Sequence, residues 1–116
     1  MRHFGIEEAN GLIPLLRRTF QTVRPLAEKL DDTQGPEHDA LAEKIQGELQ
    51  PLVDSGIEVK ALDGLVDFRA LLEGRTVYLC WRWGEERITH WHELDTGFAG
   101  RRPIKAGDTF GKSYLS

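Results

Sequence analysis

Ile6, Ala9, Ile13, Leu16, Phe20, Val23, Ala27 and Leu30 recur at alternating steps of three and four, which lays one apolar stripe along a helix. Leu12, Leu15 and Leu26 widen that stripe. Gly5 serves as a weak N-cap, and Glu7 and Glu8 suit the positive end of the helix dipole. Pro14 and Pro25 fall inside the pattern; each removes an amide donor and frees the carbonyl four residues earlier, at Asn10 and Gln21. Their separation is close to three turns, so the two bends curve one rod to the same side. A break at Pro14 into two shorter helices is the competing reading. After the polar turn at 31–35, Pro36 suits a first helical position, and Leu41, Ile45, Leu49, Leu52 and Val53 continue a second helix that stops near Gly56. The pair is an antiparallel helical hairpin. A continuous helix from Ile6 to Leu30 would be about 37 Å long at 1.5 Å per residue, against a radius of gyration of about 13 Å for a compact chain of this size. The hairpin should therefore reach beyond the rest of the domain.

From Ile57 the period changes to two. Residues 57–60 and 65–68 read as short strands joined by a turn at Asp63-Gly64. Thr76 to Trp83 and Arg87 to Leu94 then form a hairpin turning around Gly84-Glu85. With a two- or four-residue turn, Val77, Leu79, Trp81, Trp83, Ile88, His90, His92 and Leu94 share one face, and Tyr78, Cys80, Arg82, Thr89, Trp91 and Glu93 share the other. Both faces are apolar enough to need covering, one by the helices and the other by a ligand, a second subunit or the C-terminal tail. Gly97, Gly100, Gly107 and Gly111 mark that tail as irregular. The expected architecture is α+β and a single domain: helical hairpin over 1–56, an antiparallel sheet of three to four strands over 57–94, and a loop and tail over 95–116.

Composition narrows the class. The chain has 116 residues, 40% hydrophobic and 29% charged, which fits one globular domain. Residues 1–60 carry seven basic and eleven acidic side chains and 61–116 carry eight of each, so neither half has the basic footprint of a nucleic-acid binder. The N-terminus enters an acidic helical pattern without an apolar signal core, and nothing spans a bilayer, so a cytoplasmic location is expected. The lone Cys80 has no disulfide partner within the chain and reads as a buried small hydrophobe.

The segment Gly74–Ile104 holds all three tryptophans, the cysteine and two of the four histidines, so candidate chemistry concentrates there. His90 and His92 are two apart on a strand and can turn two imidazoles to one metal or to acid/base work, with Asp67 or a group from another subunit completing the shell. In the predicted register, Glu93 and Cys80 have the wrong parity to join them. The bland alternative packs His92 in the core on a backbone partner and leaves His90 partly exposed. Gly97 to Pro103, with Gly100, Arg101 and Arg102, offers freed amides beside two guanidiniums, suited to a phosphate or carboxylate. As a plain loop, Phe98 would plug a pocket and Arg101 would pair with Asp67 or Glu93. Trp81, Trp83 and Trp91 with Arg82 could stack on a ligand, though core aromatics on a small sheet explain them as well.

At these residues the chain resembles the small prokaryotic proteins of the domain of unknown function 2203 family. The resemblance covers most of the chain. It rests on Ile6–Asn10, Gly64–Phe68, Val77–Arg82, Gly84-Glu85, and Trp91–Leu94 running into Gly97–Arg101. The Thr or Ser that commonly precedes the first run is Gly5 here. The resemblance implies a shared fold and supplies no activity, substrate or cofactor. The expected function is a non-catalytic binding or assembly module, dimerising through the hairpin into a four-helix arrangement. The alternatives are a metal-dependent or acid/base enzyme using His92, His90, Asp67 and Arg101, and an anion-binding regulatory domain using Gly100, Arg101 and Arg102.

Overall fold

The computed structural model describes residues 2–111. Two helices, α1 (Ile6–Gly11) and α2 (Ile13–Asp31), replace the single curved rod. Pro14 accounts for the break: it sits in the first turn of α2, where an amide has no helical acceptor to lose, and Leu12 joins the two helices. Pro25 is instead carried inside α2. Helix α3 (Gly35–Asp54) returns alongside, with Pro36 in its first turn. The molecule measures 49 Å along its long axis and 28 and 26 Å across, with a radius of gyration of 15.2 Å, as a protruding hairpin requires. No helix among the described residues is long and apolar enough to cross a membrane.

Among the described residues, six antiparallel strands follow: β1 (Glu58–Ala61), β2 (Leu65–Leu72), β3 (Arg75–Arg82), β4 (His90–His92), β5 (Arg102–Pro103) and β6 (Phe110–Gly111). They run in the order β1-β2-β3-β4-β5, and β6 pairs with the end of β2 at Leu71 and Leu72. The sheet is larger than the expected three to four strands because the tail, read as irregular, contributes β5 and β6. Strand β2 continues past Phe68 to a two-residue turn at Glu73-Gly74, with φ of 51° and 80°. A turn with both central residues left-handed matches strand twist, and Glu at its first position conceals it from a reader of sequence. At the other end of the hairpin, Gly64 has φ +112° and a Cβ there would lie 2.7 Å from that of Trp83, so this turn needs glycine.

Helices and sheet bury one another. Val66, Phe68, Ala70 and Leu72 of β2 and Val77, Leu79 and Trp81 of β3 share a core with Ile13, Leu16, Phe20 and Val23 of α2 and Ile45, Leu49 and Leu52 of α3. Leu16 and Phe20 are fully buried, so much of the α2 stripe is occupied by the chain's own sheet. The face away from the helices holds Asp67, Tyr78, Cys80 and His92, and all four are also buried. That face is where polar chemistry collects.

Candidate functional site

Strand register decides what meets there. Tyr78 pairs with His92, Leu79 with Trp91 and Cys80 with His90. The connection between β3 and β4 covers residues 83–89, an odd number, whereas a two- or four-residue turn is even. One residue of difference inverts every side chain of β4 relative to β3. The expected faces are therefore corrected: Trp91 joins Leu79 and Trp81 on the helix side, and His90 and His92 join Tyr78 and Cys80 on the other. The parity that seemed to separate Cys80 from the histidines is what brings it to them.

Asp67 on β2, Cys80 on β3 and His92 on β4 converge from three adjacent strands. One ligand atom from each lies within 4.8 Å of the others, and all three residues are buried. His92 Nε2 is 3.1 Å from both carboxylate oxygens of Asp67. Its Nδ1 is 2.7 Å from the Glu93 carbonyl. A carbonyl only accepts, so Nδ1 carries the hydrogen and donates it. Nε2 then faces a carboxylate, and something positive must lie between them, either a shared proton or a cation.

The same geometry bears on thiol chemistry. With one ring nitrogen on a backbone carbonyl and the other on Asp67, His92 has no nitrogen left to activate Cys80. Burial, with the Asp67 carboxylate beside it, pushes the Cys80 thiol up to about 12. A nucleophilic cysteine needs the opposite shift.

A cavity of about 180 Å³ opens over this cluster, with Asp67, Cys80 and His92 in its wall and Leu94, Gly97 and Phe98 at its rim. Phe98 lies under two guanidiniums, 4.7 Å from Arg101 and 5.3 Å from Arg82. Gly97 and Phe98, from the loop after β4, thus border the cavity on the second sheet face. Lys60 and Tyr78 also line the cavity, and both donate to the Glu58 carboxylate, at 3.0 and 2.9 Å, which accepts a further hydrogen bond from Arg69 at 2.7 Å. Partial burial pushes Glu58 up, but the bonds from Arg69, Lys60 and Tyr78 outweigh it and hold the carboxyl below its ordinary value. Glu58, Lys60, Arg69 and Tyr78 were not singled out from sequence; only the alternation of β1 and β2 could have placed Glu58 and Arg69 on one face.

The other candidates are placed as follows. His90 is partly exposed and its Nδ1 meets the Thr89 hydroxyl at 2.9 Å rather than the buried cluster. Trp81 is fully buried, donating its Nε1–H to the Glu85 carbonyl at 2.9 Å. Trp91 packs on Phe110, with Arg75 and Arg102 over its ring. Arg101 pairs with Glu85 at 2.9 Å, not with Asp67 or Glu93, and Glu93 instead holds Arg75 at 2.9 Å. Glu85 holds the Nη2 of Arg101, while its buried Nε has no hydrogen-bond partner among the described residues. At Gly100 an added Cβ would collide with the Thr96 side chain, so this glycine serves a close approach.

No curated protein and no solved structure matches the chain. The family model described as an uncharacterized conserved protein (DUF2203) matches residues 2–104. Spanning the helical hairpin, β1 to β5 and all three residues of the buried cluster, that match makes the chain a member of the domain of unknown function 2203 family.

Proposed function

We propose that this protein is a non-catalytic binding module of the prokaryotic cytoplasm, and that its ligand site is the cavity over Asp67, Cys80 and His92. The observation that carries the reading is that these three buried polar side chains converge on an open cavity. Buried polar groups are costly, and stability alone is served as well by apolar residues of similar size. A binding role fits better than thiol catalysis, because His92 Nε2 is directed at Asp67 rather than at Cys80, and burial holds Cys80 as a thiol until a bound cation displaces its proton. The test is native mass spectrometry of gently isolated protein beside a Leu94→Trp variant, in which the indole fills the rim. Discrete mass added to the 13.2 kDa chain and lost in Leu94→Trp is the expected result. Protein that is bare in both samples and that also takes up no metal on titration would sink the reading.

Self-association through the hairpin is a second reading. It is favoured by an apolar groove along Leu30, Ala42, Ile45, Leu49 and Leu62 beside Val53, which is 52% exposed. The occupant would be the same hairpin of a second copy. Light scattering should then give twice 13.2 kDa for the native chain and a monomer for Val53→Glu. A monomeric native chain would end this reading.

A further inference from the structure

We propose that Asp67, Cys80 and His92 form a three-ligand site for one zinc-class divalent ion, whose fourth coordination position opens into the cavity at Leu94 and Phe98. This rests on the reading of that cavity as the ligand site and names its occupant.

Four observations converge on it. First, the donor set is one cysteine sulfur, one imidazole and one carboxylate, the sulfur binding as the thiolate with its proton released to solvent as the ion enters. Sulfur and nitrogen donors select zinc-like ions and disfavour magnesium and calcium, which take oxygen. Second, the spacing is close to that of a filled site. Tetrahedral bonds of about 2.0–2.3 Å place ligand atoms roughly 3.3–3.8 Å apart. The present atoms lie within 4.8 Å of one another, and the Asp67 to His92 distance is already 3.1 Å. Third, the Glu93 carbonyl takes the Nδ1 hydrogen of His92 at 2.7 Å, which leaves the Nε2 lone pair aimed at the cluster. A ligating histidine commonly has its second nitrogen held in this way, which fixes its tautomer and ring orientation. Fourth, each ligand comes from a different strand of one sheet, paired to its neighbour at Asp67 with Cys80 and at Tyr78 with His92. The donors are therefore held on rigid elements rather than on a loop. With three protein ligands and an adjoining cavity of about 180 Å³, the fourth position is left to water or to a donor atom of a small guest.

The experiment is cobalt(II) titration of untagged, chelator-treated full-length protein, followed by displacement with zinc(II). Cys80 is the chain's one cysteine, so a sulfur-to-cobalt charge-transfer band can arise from no other residue. The expected result is that band at one equivalent, with the intense visible bands of a tetrahedral site, abolished by zinc. Cys80→Ser should lose the near-ultraviolet band and weaken zinc binding by at least about 100-fold, the upper end of what losing an outer-shell partner costs. Asp67→Asn, of nearly the same volume, should weaken zinc as well, and near-ultraviolet circular dichroism checks that both variants fold. A titration without the sulfur band, or equal zinc affinity in native protein and Cys80→Ser, overturns the metal site. Native mass spectrometry separates the two levels: an organic guest retained without metal keeps the cavity as a ligand site and rejects the ion. Protein that is bare and also silent to cobalt rejects both.

Discussion

The side-chain oxygen of Asn10 accepts a hydrogen bond from the Ile88 amide at 2.7 Å, across 78 positions of sequence. Asn10 lies next to the break between α1 and α2, and Ile88 lies in the β3–β4 connection whose odd length turns His92 toward Cys80. The helical break and the arrangement of the site are thus tied by one bond. Asn10→Ala leaves a partly buried amide unpaired and should cost about 1–3 kcal/mol in urea unfolding. Asn10→Asp, which keeps the acceptor, should recover much of it. Equal losses in the two variants would show that the bond has no such role.

Asp67 and His92 should behave as a coupled unit. Asp67→Ala strands a buried hydrogen-bonding partner and is expected to cost about 1–3 kcal/mol. In a double-mutant cycle with His92→Leu, the double variant should lose markedly less than the sum of the two single losses. Additive losses would mean that the 3.1 Å contact carries no net interaction.

Glu58 gives acid sensitivity with a defined sign. Its carboxyl is held below the ordinary glutamate range in the folded protein, so the folded state favours the ionised form. That contribution is present above the unfolded pKa and is lost as pH falls through the lower folded value. Native protein should therefore lose stability below about pH 4.5 more steeply than Glu58→Gln, measured by thermal unfolding across pH. Parallel curves for the two proteins would remove Glu58 from the account.

Gly64→Ala should be costly for two reasons at one residue. Left-handed backbone disfavours a Cβ by about 1–2 kcal/mol, and here φ is +112° with Trp83 Cβ 2.7 Å from the added atom. Chemical unfolding should show a loss above that strain value. Gly74→Ala has φ +80° but open space, and should show the backbone cost alone.

Sequence by itself determined the elements. The three-and-four spacing from Ile6 to Leu30 and the stripe from Leu41 to Val53 were legible because helical periodicity is local, and so was the alternation of β3. Asp67 and His92 stood out as candidates by residue type alone. The choice between a curved rod and a break at Pro14 was left open by local chemistry, since proline is tolerated in a first turn as well as at a kink. Tertiary structure decided the rest. The turn at Glu73-Gly74, the short pairings of β5 and β6 and the odd connection at 83–89 depend on contacts between distant segments, which no short window of residues records. Because side chains alternate along a strand, that connection alone determined which face His92 occupies. Cys80, set aside from sequence as a core residue of the wrong parity, consequently lies beside His92 and Asp67 in the one buried polar cluster that opens to a cavity among the described residues.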